Sequence, residues 1–405
     1  MIINGKLNHR HLTINQKINC LTVSLSEPES DRVFSFDLEG RLWTAMSSGI
    51  SYRRGLNGKI VAKWIQPDGT RTRRWLNSEE AENLLSTARE TTNIIFDAIQ
   101  HQQATLDQAV PNSALQTATR IAGFDHARYR QDIDRYQQVY QPVGILPPDQ
   151  YMALVLQATE GCSFNTCTFC DFYRGRRFHI KTVDEMAEHI SAVQAYLGEG
   201  LSLRRTIFLG DANALVAPMT RLVQWMELIH ARLPVDAIGG LYAFLDGFSG
   251  ERKTTKDYDL LAKGGFKRIY IGMESGSQAL LRFLKKPGSP QDVLKAVQAI
   301  KSGGISVGII ILLGAGGQQY AHQHVQDTIQ LVNEMKLDAD DLIYFSELVE
   351  SEGMQYSQDA FQASLIPLSP QERIRQAEQI EQGFKFNTVD GTPHISRYDI
   401  REFVF

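Results

Sequence analysis

Two patterns of apolar and polar residues divide the chain near residue 145. Before it, short runs at 20–25 (CLTVSL), 33–37 (VFSFD), 40–46 (GRLWTAM) and 60–65 (IVAKWI) predict strands, with Asn57-Gly58 and Asp68-Gly69 as turn signals. From Ser78 the period lengthens to that of a helix. Glu79, Glu80 and Glu82 crowd its start, and Leu84, Leu85, Ala88, Ile94 and Ile95 follow at helical spacing. More helix is expected over 113–139, and Pro147-Pro148 within PVGILPPDQ (142–150) marks a linker.

After residue 151, apolar runs alternate with amphipathic segments of helix length. Strands are predicted at 152–159, 205–211, 236–244, 268–274, 305–314 and 341–348, and helices at 182–197, 218–232, 254–263, 290–302 and 321–336. Thr182 with Glu185 reads as a capping box, and Ser289-Pro290 places proline at a first helical position. Several strands are apolar throughout, as parallel strands covered on both faces tend to be. Six such repeats predict an α/β fold, either a partial (β/α)6 TIM-type barrel or a doubly wound sheet, over residues 151–350. An α+β N-terminal extension (1–145) precedes it, and a C-terminal helical or tail segment (351–405) follows. In either fold, ligands sit at the carboxyl ends of the strands.

Composition narrows the setting. Hydrophobic content of 43%, charged content of 22% and a net charge of −4 describe an ordinary globular chain without global attraction to nucleic acid or anionic membranes. The N-terminus lacks the apolar run of a signal peptide, and no run is long enough to span a bilayer. Only four cysteines are present, which argues against a secreted disulfide framework and for a cytoplasmic setting.

Three of those cysteines fall in GCSFNTCTFCDFY (161–173), just after the first strand of the alternating region. Cys162, Cys167 and Cys170 are spaced C-x4-C-x2-C. Structural zinc takes four Cys or His ligands, and His179 is the candidate fourth. An iron–sulfur cluster held by three thiolates instead keeps one iron open to a ligand. The two readings are a non-enzymatic zinc or iron–sulfur protein and a cluster enzyme.

The stretch resembles the radical S-adenosylmethionine (SAM) superfamily, over roughly residues 151–350. Phe169 matches the aromatic that precedes the last cysteine there, although one extra residue separates Cys162 from Cys167 relative to the usual C-x3-C-x2-C. The resemblance implies that the three cysteines bind a [4Fe–4S] cluster and that SAM completes it. LGDAN (209–213) is similar to the turn that receives the SAM amino group, with Gly210 and Asp211 as contacts. IGMESGSQALLRFLKK (271–286) is similar to the ribose segment, with Glu274 and Ser275 as contacts and Lys286 near the carboxylate. GIIILLGAGGQ (308–318) resembles the adenine side through Gly308, Ile310 and Gly314, without the expected glutamate near Gln318. Such an enzyme reductively cleaves SAM to a 5′-deoxyadenosyl radical that abstracts hydrogen from substrate. The resemblance also implies an electron donor such as flavodoxin or ferredoxin.

The substrate, whether small molecule, peptide or RNA, is not identified by these motifs. Only Cys20 remains outside the cysteine loop, too few for a second cysteine-bound cluster, and it reads as a buried small hydrophobe. No D-x-H-x-x-G cobalamin signature occurs in residues 1–150. Arg174, Arg176 and Arg177, beside Phe172, Tyr173 and Phe178, suit a substrate carboxylate or phosphate, or simple solvation. The basic clusters RRGLNGK (53–59) and RTRRW (71–75) raise an RNA-modifying alternative. Tyr242, Asp246, Glu347 and Glu350 are expected at strand ends facing one mouth, and HISRYDIREFVF is either a tail strand or a lid.

Overall fold

The structure, a computed structural model, describes residues 1–26, 31–250, 253–387, 389 and 391–405. It divides into two compact units: residues 1–143 with 191–205 and 402–405, and residues 144–190 with 206–401.

The first unit is built on nine antiparallel strands: β1 (Ile2–Leu7), β2 (Arg10–Gln16), β3 (Cys20–Ser26), β4 (Asp31–Asp37), β5 (Leu42–Ser47), β6 (Ile50–Arg54), β7 (Ile60–Ile65), β8 (Arg71–Trp75) and β9 (Ala104–Leu106). Strands β1 to β8 follow one another as a meander, and β9 returns beside β1. Burial alternates along β2 and β3, so Leu12, Ile14, Leu21 and Val23 face a core closed by helices α1 (Ser78–Gln100) and α2 (Asn112–Ala122). The cap of α1 is Asn77, whose side chain accepts from the Glu80 amide while Glu80 accepts from the Asn77 amide. The helix expected over 113–139 is two helices. Asp125 caps α3 (His126–Val139) after a break at Gly123 and Phe124.

The second unit carries a seven-stranded parallel sheet in the order β10, β13, β14, β15, β16, β17, β18. Its strands are β10 (Ala153–Gln157), β13 (Thr206–Gly210), β14 (Leu241–Leu245), β15 (Phe266–Glu274), β16 (Ser306–Leu313), β17 (Leu342–Glu347) and β18 (His394–Tyr398). A two-stranded ribbon, β11 (Thr159–Glu160) and β12 (His179–Ile180), frames the cysteine loop. Every residue of β10 and seven of eight in β16 are buried, the signature of strands covered on both faces. Helices α4 (Val183–Leu197), α5 (Met219–Arg232), α8 (Thr255–Lys263), α10 (Pro290–Ser302) and α11 (Gly317–Glu334) provide the crossovers, with short α6 (Val235–Ile238), α7 (Gly247–Gly250) and α9 (Gln278–Phe283) between them. Residues 191–197 of α4 fall in the first unit. Helices α12 (Gln355–Gln362) and α13 (Pro370–Gln382) lie between β17 and β18.

All six strands expected in this half are present. One expectation needs correction: in 236–244 the first residues form the last turn of α6, and the strand begins at Leu241 after Gly239-Gly240. The closing segment supplies a seventh strand, β18, parallel to β17. Among the described residues no helix is long and apolar enough to cross a membrane.

Candidate functional site

A cavity of about 330 Å³ opens at the carboxyl ends of the parallel strands, and Cys162, Cys167 and Cys170 all line it. The polypeptide reaches it from β10 through β11, turning at Gly161, whose φ of +72° is a left-handed conformation that suits glycine. A side chain there would also crowd the Arg177 carbonyl at 3.3 Å. The loop is pinned on several sides. Thr168 donates its amide to the Leu284 carbonyl at 3.0 Å, the Thr166 hydroxyl donates to the Lys285 carbonyl at 3.3 Å, and the Tyr356 amide donates to the Thr168 carbonyl at 3.0 Å. Asn165 donates its amide to Cys162 Sγ at 3.3 Å and its side chain to the Tyr173 carbonyl at 3.1 Å.

Glu274 and Lys286 complete the polar wall beside the thiols, with Lys286 Nζ 3.3 Å from Glu274 Oε1 and 5.9 Å from the Phe169 ring centre. Glu274 holds a left-handed φ of +61° where β15 slips register against β16, which turns it out of the strand. Burial pushes the Cys170 thiol up to about 12 and raises Cys167, where the neighbouring Lys286 ammonium opposes the shift. Burial alone would depress Lys286, but Glu274 and Cys167 hold it above its ordinary value. Ile310, Asp246 and Glu347 also reach the cavity. Asp246 accepts from the Asn213 side chain, and Glu347 accepts from Arg373 Nε at 3.0 Å.

Other residues singled out by sequence stand elsewhere. Asp211 is buried off the cavity wall. Its carboxylate accepts from Gln157 Nε2 at 2.8 Å and the Gly161 amide at 3.2 Å, and Arg176 lies 3.7 Å away. Burial lifts its pKa to about 6 against those bonds. Asp211 therefore anchors the base of the cysteine loop. Ser275 is fully buried and its hydroxyl meets His324 Nδ1 at 2.7 Å. Gly308 faces a flat ring, but that ring is Tyr270, which a Cβ would meet at 2.4 Å. A Cβ added to Gly210 would lie 3.5 Å from Val155, and Gly314 borders a second cavity of about 230 Å³ together with Glu350. Tyr242 packs near Tyr270, with ring centres 6.4 Å apart.

His179 bonds Glu185 at 3.1 Å and is not on the cavity wall, so it does not join the cysteines. Among the described residues no three Cys, His, Asp or Glu side chains group closely enough for a single ion. A multi-iron cube takes its thiolates at separate corners, and a donor set of three thiols around one cavity fits that larger group. The N-terminal basic clusters are extensively paired: Arg54 with Asp132, Arg73 with Glu402 and Arg74 with Glu80. Cys20 is buried in the first unit. Ser346 and Tyr398 reach the cavity although no local motif marks them, only their places at strand ends, and Asn213, the last residue of LGDAN, reaches it although the motif singled out Gly210 and Asp211.

Residues 156–332 match the model of the Radical SAM superfamily. The match covers less than half of the chain, and the superfamily it matches implies SAM and a [4Fe–4S] cluster for this stretch. A curated relative, an uncharacterised methyltransferase of Pyrococcus horikoshii, is 25% identical over 202 residues, covering 48% of this chain and 40% of the relative. The chain thus matches less than half the length of that protein. Among solved structures, coproporphyrinogen III oxidase from Escherichia coli is similar at a TM-score of 0.45 and 14% identity, covering 64% of this chain and 57% of that one. The cobalamin-dependent SAM radical enzyme OxsB is similar at 0.39 and 14% identity, covering 80% of this chain and 37% of its own.

Proposed function

We propose that the chain is a radical SAM enzyme in which Cys162, Cys167 and Cys170 hold a [4Fe–4S] cluster and SAM lies across the same cavity, over a partial barrel with residues 151–350 as its core. The observation that carries this reading is the meeting of all three thiols with the Glu274–Lys286 pair in one cavity at the strand ends. When bound, the cofactors supply reductive cleavage of a carbon–sulfur bond and abstraction of a substrate hydrogen atom. The protein's own groups hold and screen them. Lys286 and Glu274 offer a cation and an anion to a zwitterionic ligand, Ile310 and Phe169 give apolar contact, and the pinned loop limits solvent around the thiols.

The test is anaerobic reconstitution followed by metal analysis. About four irons with acid-labile sulfide per chain are expected, lost when all three cysteines are replaced by alanine. About one zinc per chain in place of iron, lost in that variant, contradicts the reading. The Pyrococcus relative's name favours methyl transfer as a second outcome of the same site. Methylated product with S-adenosylhomocysteine supports transfer, whereas 5′-deoxyadenosine with methionine and no methylated product supports hydrogen abstraction alone.

A further inference from the structure

The turn that follows Glu274, Ser275-Gly276-Ser277, lies off the cavity wall and against α11. A Cβ on Gly276 would stand 2.2 Å from the Asp327 carbonyl oxygen and 2.6 Å from the Thr328 nitrogen, so the turn sits flat on the backbone of that helix. Two fully buried side chains of α11, His324 and Thr328, meet it there. The Gly276 amide donates to Thr328 Oγ1 at 3.0 Å. The Ser277 amide donates to Ser275 Oγ at 2.9 Å, and that oxygen lies 2.7 Å from His324 Nδ1, with Thr328 Oγ1 3.3 Å from the same nitrogen. Burial lowers the His324 pKa to about 4, which keeps the ring neutral and leaves it one acceptor nitrogen. Because Ser275 Oγ accepts from Ser277, its own proton is free to be donated to Nδ1.

Two parts of the site start from this turn. On one side stands Glu274, with its left-handed φ and its place on the cavity wall. On the other, Ser277 stands at the N-cap of α9 and its carbonyl accepts the Leu281 amide at 3.0 Å. That short helix leads to the Leu284 and Lys285 carbonyls, which hold Thr168 and Thr166 of the cysteine loop, and to Lys286 beside Glu274. We propose that His324 is a positioning residue for the cavity: with Thr328 it latches the 275–277 turn onto α11, and the turn fixes Glu274 at one end and the Lys286 end of α9 at the other. The inference rests on the radical SAM reading above. Neither His324 nor Thr328 lines the cavity, so both act through the turn, and Ser275 serves as the relay between His324 and Ser277.

The experiment uses two substitutions that separate the hydrogen bond from the packing. His324→Leu keeps most of the buried volume and removes the acceptor, whereas His324→Asn loses volume and keeps an acceptor oxygen near the place of Nδ1. In the purified whole chain, hydrogen exchange over residues 273–286 should quicken about tenfold or more in His324→Leu and stay within about threefold of wild type in His324→Asn. Exchange in α10 should be unchanged in both. SAM affinity of the reconstituted protein, measured by equilibrium dialysis, should fall in the same order. A larger loss in His324→Asn than in His324→Leu assigns the residue to packing and overturns the proposal. So does quickened exchange that spreads equally to α10, or a broken latch with SAM affinity unchanged. Ser275→Ala cuts the same relay without touching the helix, and unaltered exchange over 273–286 in that variant overturns the proposal even where His324→Leu does not fold. If reconstituted wild type binds no SAM, the functional reading has failed, and the exchange comparison alone still decides the latch.

Discussion

Replacing Gly308 by alanine tests whether this glycine serves the fold or a ligand. A Cβ built on Gly308 lies 2.4 Å from Tyr270 Cδ1 and 2.8 Å from Cε1. The ring must therefore retreat by about 1 Å to reach ordinary contact. It is not free to do so. The Tyr270 hydroxyl donates to Asp149 and accepts from Gln150 Nε2 at 3.0 Å, while Phe208 and Phe244 stand 6.2 and 6.1 Å from its ring centre. Overpacking of this kind costs about 1–3 kcal/mol, and the tethered ring places Gly308→Ala in the upper half. At about 2–4 °C per kcal/mol, thermal unfolding of this unit should shift down by about 4–12 °C. A Tyr270→Ala background removes the three atoms nearest the added methyl group, so its cost there should fall to under about 0.5 kcal/mol. The entropic gain from replacing glycine, about 0.4–1 kcal/mol, is the same in both backgrounds and cancels from the comparison. The assay is a double-mutant cycle read by calorimetric melting, with SAM affinity measured alongside. An equal loss in both backgrounds refutes the packing argument, as does an unchanged melting temperature accompanied by weaker SAM binding.

Three further outcomes follow from the same geometry. Glu274→Gln leaves Lys286 buried without its anion and should destabilise the unit by up to about 3–5 kcal/mol, with the double variant Glu274→Gln, Lys286→Met recovering part of that loss; additive losses contradict the pairing. His189 Nε2 accepts the Gln157 amide at 3.0 Å, which requires the neutral ring, and burial lowers its pKa to about 4. Its contribution is present above the unfolded pKa near 6.5 and is lost as pH falls through about 4, at most about 3 kcal/mol. Asp211, raised to about 6, runs oppositely in much of the same window, so the readout is the difference between wild type and His189→Gln from pH 7 to pH 4; parallel curves contradict the assignment. Finally, Ser289→Ala removes the hydroxyl that caps α10 and should cost about 1 kcal/mol by thermal melting, without changing iron content; a stability loss within error, or a loss of iron, contradicts a purely capping role.

The parallel half was legible because its signals are local. Runs such as SVGIIILL are buried on both faces, and strong caps such as Ser289 with Asp292 mark helix starts within a few residues. The N-terminal meander was harder. Strands β1, β2, β6 and β8 carry charged or polar residues at many positions, and their identity as strands depends on neighbours far along the chain. Of the candidate site residues, the cysteines, Phe169, Glu274 and Ile310 line the cavity, and each sits in a short motif at or just after a strand end. Asp211 and Gly308 share those motifs, yet in this fold the first is engaged by Gln157 and the Gly161 amide and the second by Tyr270. Sequence shows which residues stand at a strand end; the side of the strand taken by their partners is a tertiary fact. Tyr398 shows the same limit, since its place at the cavity depends on β18 joining β17 across a connection containing two helices.

The most direct test of the central claim is mass spectrometry for 5′-deoxyadenosine after anaerobic reconstitution with SAM and dithionite, with Cys167→Ala as control. The account predicts the nucleoside from wild type and none above background from the variant. A wild-type preparation with its full iron and sulfide that yields no 5′-deoxyadenosine, with or without a cell extract supplying substrates, would contradict it.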